Sequence, residues 1–200
     1  MSIDTWESKS LVLGLGNPGT EYEGTRHNRG REVVEELARR RGVTLRLGHC
    51  QTRFAVDGEL VLATPETFMN RSGYAARCLV ERYGLDPASL LVVFDDIYLP
   101  LGSLRLRISG GAGGQKGMAS VLESLRTQEI ARLRLGIAPL DPAPAAELDR
   151  VEFVLARFAP GEQAMASEQI GRAVEACETW LAAGAAEAMN RFNRDRDATA

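Results

Sequence analysis

Two hydrophobic spacings alternate along the chain. Ser10 to Leu15 is a short, almost wholly apolar run ending in Gly16, which suits a central strand buried on both faces. From about Asn28 to Arg41 the spacing changes: Val33, Val34, Leu37 and Ala38 recur on one helical face, and Gly42 stands where a left-handed C-cap belongs. Thr44 to Leu47, Thr52 to Val56 and Glu59 to Ala63 read as strands, and the turn Asp57-Gly58 between the last two predicts an antiparallel edge. Helical spacing returns over Asn70 to Tyr83, where Ala75, Leu79 and Val80 precede Gly84. Leu90 to Phe94 is then a second fully buried strand, ending in Asp95-Asp96. A helix between two buried strands predicts parallel pairing.

In the second half, Leu104 and Leu106 alternate with Arg105 and Arg107, a half-buried strand with a basic face. A glycine-rich loop leads to a helix over Met118 to Leu125, and Leu133 to Ile137 is expected to close the sheet. Asp141-Pro142-Ala143-Pro144 reads as a loop, and an alanine-rich helical tract from Gly161 to about Phe192, holding Ile170, Val174, Trp180 and Leu181, is expected to break at Gly184. No internal repeat and no Pro/Ser linker interrupts residues 11–193. The expectation is a single α/β domain over 11–193, a mixed, mostly parallel twisted sheet flanked by helices on both faces. An N-terminal extension, 1–10, precedes it, and a polar tail, 194–200, is expected to be disordered.

Composition narrows the class. A chain of 200 residues buries about 70% of its unfolded surface as one domain, so no disulfide or metal is required to hold it together. Hydrophobic residues at 44% and charged ones at 26% exclude disordered and fibrous classes. The three cysteines, Cys50, Cys78 and Cys177, are widely spaced and form no C-x-x-C pair, so zinc and redox motifs are absent. No window reaches the length of a membrane span and the first ten residues lack a signal-type apolar stretch, so a cytoplasmic location is expected. The net charge of −3 means that any contact with RNA must come from a local basic patch.

Gly14-Leu15-Gly16-Asn17-Pro18-Gly19 matches the G-x-G-x-x-G pattern that cradles a dinucleotide. That fingerprint needs a helix opening directly on the glycines and an acidic residue ending a second strand. Here the helix starts near Asn28 and Glu35 and Glu36 lie inside it, so the pattern argues against the cofactor. His27 lies in the polar run Thr25-Arg26-His27-Asn28, after the loop that follows the first strand, and Asp95 ends another buried strand. Open α/β sheets bind ligands at the carboxyl ends of their strands. If the two strands are close, the carboxylate can orient the imidazole and select the tautomer that acts as base. Asn17 and Asn70 can face the same crevice, where amide N–H groups could stabilise an oxyanion, although either asparagine alone would pass for a turn or cap residue. His49 beside Cys50 offers a metal or Cys/His reading, but no third ligand is spaced to join them.

In combination these motifs are specific. Gly14 to Gly19, Tyr22, Thr25-Arg26-His27-Asn28, Thr67-Phe68-Met69-Asn70-Arg71-Ser72-Gly73 and Asp95-Asp96 occur in the order and spacing of the bacterial peptidyl-tRNA hydrolases. Arg132-Leu133-Arg134-Leu135-Gly136-Ile137 and Met189-Asn190-Arg191-Phe192 extend the likeness almost to the end. The chain thus resembles that family over nearly its whole length. The resemblance implies a hydrolase that frees tRNA from stalled peptides without a cofactor or metal, as a monomer. It makes His27 the general base and Asp95 the group that stabilises it, and it has Asn17 discriminate peptidyl from free aminoacyl esters. Tyr22, Phe68, Met69 and Asn70 match positions that contact substrate.

Two departures stand out. Where the family usually has His-Asn-Gly after its glycine pair, this chain has Gln115-Lys116-Gly117, and Tyr98 replaces a common acid. Lys116, just before the helix that begins near Met118, is expected to bind a phosphate of the substrate. With Arg105, Arg107 and Arg134 it could form the basic patch that a tRNA acceptor stem requires. Two other classes remain as alternatives. One is a non-catalytic relative that binds RNA or protein, set apart by failure to release peptide; the other is a nucleotide-dependent oxidoreductase, set apart by dinucleotide binding.

Overall fold

The computed structural model describes residues 10–139 and 149–193. All of the expected extension but Ser10, the whole loop from Asp141 to Pro144, and the tail lie outside these residues. Among the described residues seven strands form one sheet in the order β2-β3-β4-β1-β5-β7-β6. β1 (Ser10–Gly14) lies at its centre, parallel to both β4 (Leu60–Pro65) and β5 (Leu90–Pro100). β7 (Ala131–Ala138) continues the parallel set beside β5. The first half ends in the expected antiparallel edge, β2 (Arg46–Leu47) on β3 (Thr52–Asp57) on β4.

Alternation along β1 divides the core in two, because successive side chains of a strand point to opposite faces. Val12 packs beneath α1 (Arg29–Arg40) and α5 (Gln163–Phe192), with Val33, Leu37, Val174 and Cys177. Leu11 and Leu13 pack on the other face under α2 (Ser72–Tyr83) and α3 (Lys116–Leu125), with Leu79, Met118 and Val121. Both faces are therefore covered, as the continuous apolar runs require. α5 does carry its break at Gly184, whose φ is 82°.

One expectation fails. The strand containing Leu133 to Ile137 does not close the sheet: β7 lies inside it, paired with β5 on one side and antiparallel to β6 (Leu104–Arg107) on the other. β6 is the edge, and it is blunted by Asn193, whose side-chain amide accepts from the Leu106 N–H at 2.6 Å and donates to the Leu106 carbonyl at 3.0 Å. A single side chain thus satisfies an edge residue that would otherwise offer itself for pairing. β5 also outruns its apolar core, continuing through Asp95-Asp96 to Pro100 with a register shift against β7 between Asp96 and Pro100.

Cys50 and Cys78, which the sequence left unpaired, form a disulfide across 28 residues, with Cα atoms 5.5 Å apart, tying the turn before β3 to α2. Cys177 is fully buried, which pushes its thiol up to about 12, and it behaves as a small apolar side chain.

α1 meets the sheet at two glycines. A Cβ on Gly30 would lie 2.1 Å from the Val93 carbonyl oxygen, and one on Gly14 would lie 2.2 Å from the Gly30 oxygen. The obstructing atoms nearest to both positions are backbone, of Gly30, Val93 and Leu15, which cannot give way as a flexible side chain would; at Gly14 the side-chain Cγ2 of Val34 crowds the position as well, at 2.8 Å. Gly30→Ala should destabilise the fold by about 1–3 kcal/mol or more through overpacking, read as a lower denaturant midpoint at unchanged slope. A midpoint equal to that of the unmodified chain would show that α1 can back away freely.

Candidate active site

The parallel strands β1, β4 and β5 deliver their carboxyl ends to one rim. After β1, the chain runs through Asn17 and a turn at Thr20–Tyr22 to a second 3-10 turn, Arg26–Asn28, that leads directly into α1. After β4, the turn Met69–Arg71 precedes α2, so Asn70 sits in that turn and not on the helix itself. β5 brings Asp95 and Asp96 to the same place while still extended. Asn17, His27, Phe68, Asn70, Asp95 and Lys116 all line one cavity of about 480 Å³, within the usual range for a ligand site.

His27 Nδ1 lies 2.8 Å from Asp95 Oδ2. The Asp95 side chain is only 1% exposed, against 14% for His27, so the carboxylate is cut off from water and the ring is reachable from the cavity. With Nδ1–H donated to Asp95, Nε2 is the unprotonated nitrogen, the tautomer a general base needs. The other carboxylate oxygen, Oδ1, accepts from Gln115 Nε2 at 3.1 Å.

Asn17 is held from three sides. Its backbone N–H donates to Asn28 Oδ1 at 2.8 Å, its carbonyl accepts from Asn28 Nδ2 at 3.0 Å, and its side-chain Oδ1 accepts from the Met69 N–H at 2.8 Å. With Oδ1 committed, the Asn17 Nδ2 group is the part left to face the cavity. Asn70 is exposed on the rim. The apolar wall comes from Phe68, Val151 and Leu155, which are 57%, 56% and 38% exposed. The last two belong to α4 (Arg150–Leu155), capped by Asp149.

The glycine-rich motif does structural work. Gly14 admits α1, and a Cβ on Gly16 would lie 3.0 Å from the Asn28 oxygen that holds Asn17. His49 is likewise structural: its ring packs 4.1 Å from Phe54, its Nε2 lies 3.2 Å from Tyr83 Oη, and burial, with Arg82 nearby, lowers its pKa. Its neighbour Cys50 is bonded to Cys78, which removes the thiol a Cys/His nucleophile would need. Among the described residues no group of three or more His, Cys, Asp or Glu side chains could hold a metal ion.

The remaining expected contacts divide. Lys116 is exposed and lines the cavity, as the first residue of α3. Tyr22 lies outside the lining, as do Arg105, Arg107 and Arg134. Arg134 is ion-paired with Asp96, and Arg105 donates to the Asn193 carbonyl at 3.1 Å. Arg107 is exposed at the end of β6.

Sequence reasoning missed two parts of the site. Gln115, which it saw as a departure in the loop, is buried against Asp95. α4 carried a readable start signal, Asp149 with Glu152 three residues on, and the Asp149 side chain accepts from the Val151 and Glu152 N–H groups. Arg150 and Tyr98, joined by a 3.1 Å hydrogen bond, complete that side of the mouth.

Comparison with known proteins agrees with this frame. The sequence model of the family described as peptidyl-tRNA hydrolase matches residues 11–199. The chain belongs to the peptidyl-tRNA hydrolase family of enzymes. It is 50% identical to the peptidyl-tRNA hydrolase of Synechococcus sp. (strain JA-3-3Ab) over 188 residues, 92% of this chain and 82% of that one. To the Chloroflexus aggregans enzyme of that name it is 43% identical, over 92% and 98% of the two chains. The crystal structure of peptidyl-tRNA hydrolase from Acinetobacter baumannii superposes with a TM-score of 0.81 at 30% identity, covering 94% of this chain and 95% of that chain. No helix among the described residues is long and apolar enough to cross a membrane.

Removing the imidazole tests the pair directly. His27→Ala should fold normally, since the ring fills little of the core, and should lose about 10²- to 10⁴-fold in ester hydrolysis. Asp95→Asn should fall in the same range by favouring the wrong tautomer. Activity of His27→Ala within about tenfold of the unmodified enzyme would remove His27 as the base.

Proposed function

We propose that this enzyme hydrolyses the ester joining a peptide to the terminal ribose of tRNA, and so recycles tRNA from aborted translation. The observation that carries the reading is the 2.8 Å contact between His27 and the buried Asp95, with the imidazole open to the cavity. His27 Nε2 takes a proton from water as the water attacks the ester carbonyl. The negative charge that develops on the carbonyl oxygen is met by N–H groups of Asn17 and Asn70. Collapse of the tetrahedral intermediate breaks the bond to the ribose oxygen, which leaves with the proton carried by His27. The products are a free peptide carboxylate and a tRNA with its ribose hydroxyl restored.

The magnitudes are sufficient for so labile a bond. A positioned base contributes roughly 10² to 10⁴, and one well-placed oxyanion donor about 10² to 10³. Fixed donors cost no reorganisation during the reaction, and Asn17 is fixed by its bonds to Asn28 and Met69. The same rigidity suits Asn17 to the further role the family likeness gives it, telling a peptidyl ester from a free aminoacyl one. Phe68, Met69 and the α4 side chains offer an apolar wall to the peptide. On the RNA side, Lys116 and Arg107 are exposed members of the expected basic group and Tyr22 is a further contact, while Arg105 and Arg134 contribute charge from within their existing bonds.

Release of peptide from purified peptidyl-tRNA tests the activity, and binding without release would assign the chain to the non-catalytic relatives instead. Chelators should leave hydrolysis of a small ester analogue unchanged, since a His/Asp base needs no Lewis acid. The analogue is needed because tRNA itself requires magnesium to fold. Inhibition by a chelator, reversed by one divalent ion, would overturn the mechanism.

Lys116 provides a separate test. Lys116→Ala should weaken tRNA binding with little change in the chemical step and should lower the slope of log affinity against log salt by about one unit. Affinity for an acceptor stem measured at several salt concentrations decides it, and an unchanged slope would return Lys116 to the solvated surface.

A further inference from the structure

Gln115 is a buried polar residue that lines the cavity and that the proposed reaction leaves without a role. It caps α3: its Oε1 accepts from the Met118 N–H at 2.7 Å. That bond fixes which way round the amide lies, because only a carbonyl oxygen can accept there. Nε2 is therefore turned toward Asp95 Oδ1 at 3.1 Å, with Met69 Sδ at 3.3 Å as its other neighbour. Asp95 is clamped between two donors, His27 on Oδ2 and Gln115 on Oδ1.

We propose that Gln115 is a positioning residue for the His27 base, acting through Asp95. This inference rests on the proposed reaction. A carboxylate can rotate about its last torsion, a broad and soft one, and only one orientation directs Oδ2 at the imidazole. The second donor holds that orientation, and the helix cap holds the donor. The mechanical link runs from the first turn of α3 through the amide and the carboxylate to the imidazole.

The residue type matters as much as the contact. Where family members usually carry histidine at this position, a second imidazole, the side chain that gains or loses a proton most readily near neutral pH, would stand beside Asp95. A glutamine gives the hydrogen bond with no proton to lose. The other charged groups around the pair are Asp96, ion-paired with Arg134 of β7, Lys116 at the start of α3 and Arg150 of α4. None of them is a side chain whose unperturbed pKa puts its charge change between about pH 5 and 8. The acid limb of kcat/KM should therefore follow one ionisation.

The test uses the full chain with peptidyl-tRNA as substrate. Gln115→Met keeps the length of the side chain and removes the donor. It should lower kcat by about 10- to 100-fold, the scale on which partners behind a reacting group act, and leave KM within about twofold. In a double-mutant cycle, Gln115→Met should cost little once Asp95→Asn is present, because the route through the carboxylate is already broken. Gln115→His restores a donor and should recover most of kcat while adding a second ionisation to the acid limb.

An unchanged kcat for Gln115→Met would overturn the inference, as would a raised KM alone or losses that multiply in the double variant. If Gln115→Met fails to fold, Gln115→His decides the matter, and an acid limb still following one ionisation would count against it. His27→Ala separates the two levels of argument. Full activity there sinks the reaction itself, whereas an inactive His27→Ala beside a fully active Gln115→Met sinks only the role of Gln115.

Discussion

The close approach of α1 to the centre of the sheet is the constraint on which the site depends. Gly14 and Gly30 allow backbone to pack on backbone, and a hydrogen bond locks the contact: the Arg31 N–H of α1 donates to the Leu15 carbonyl at 2.9 Å, and Leu15 is itself tied to β5 by its N–H, which donates to the Val93 carbonyl at 2.9 Å. His27 stands three residues before Gly30, and Asp95 two residues after Val93. Once the helix is seated, the distance between their side chains is largely determined. A helix held farther off by an ordinary Cβ would carry the imidazole away from the carboxylate with it.

Around this contact the polar groups form a connected network in place of separate pairs. Asn28 holds Asn17, Asn17 holds the Met69 backbone, and Gln115 touches both Met69 and Asp95. Elements from three strand ends and α3 thus share buried hydrogen bonds, and each bond limits the freedom of the next. Such a network is costly if incomplete and rigid if satisfied. Rigidity is what oriented donors and a positioned base require.

Much of the architecture was legible because it follows from periodicity. The apolar runs 10–15 and 90–94 give parallel central strands, the change to helical spacing gives α1 and α2, and Asp57-Gly58 gives the hairpin. What was not legible depended on distance in space. Leu133 to Ile137 looks terminal because it is the last strand in sequence, yet its apolar residues on both faces fit an interior position beside β5. The pairing of Cys50 with Cys78 joins a turn to a helix and has no local signature. The four residues proposed for the chemistry, Asn17, His27, Asn70 and Asp95, could be picked out one by one, since each follows a buried strand. Gln115 could not, because glutamine after glycines reads as solvated loop, and only the fold reveals a carboxylate beside it.

The arginines show why a basic stripe in a sequence overstates a binding surface. Arg105, Arg107 and Arg134 come from two neighbouring strands and, with Lys116, promise a basic patch, and Arg132 lies on the same strand as Arg134. In the structure Arg132 is buried and turned inward, donating to the Gly111 carbonyl at 2.9 Å and to the Gly110 carbonyl, so it shapes the glycine loop that leads to Gln115. Arg134 neutralises Asp96 beside the proposed base, and Arg105 anchors the end of α5. A guanidinium offers several donors in a fixed fork, and here most of those forks are already occupied by backbone carbonyls and a carboxylate. The charge still adds to the local potential, but the geometry for gripping a phosphate is left to side chains such as Arg107 and Lys116. With a net charge of −3 over the whole chain, any potential that favours RNA has to come from local groups of exposed cations and not from the molecule as a whole.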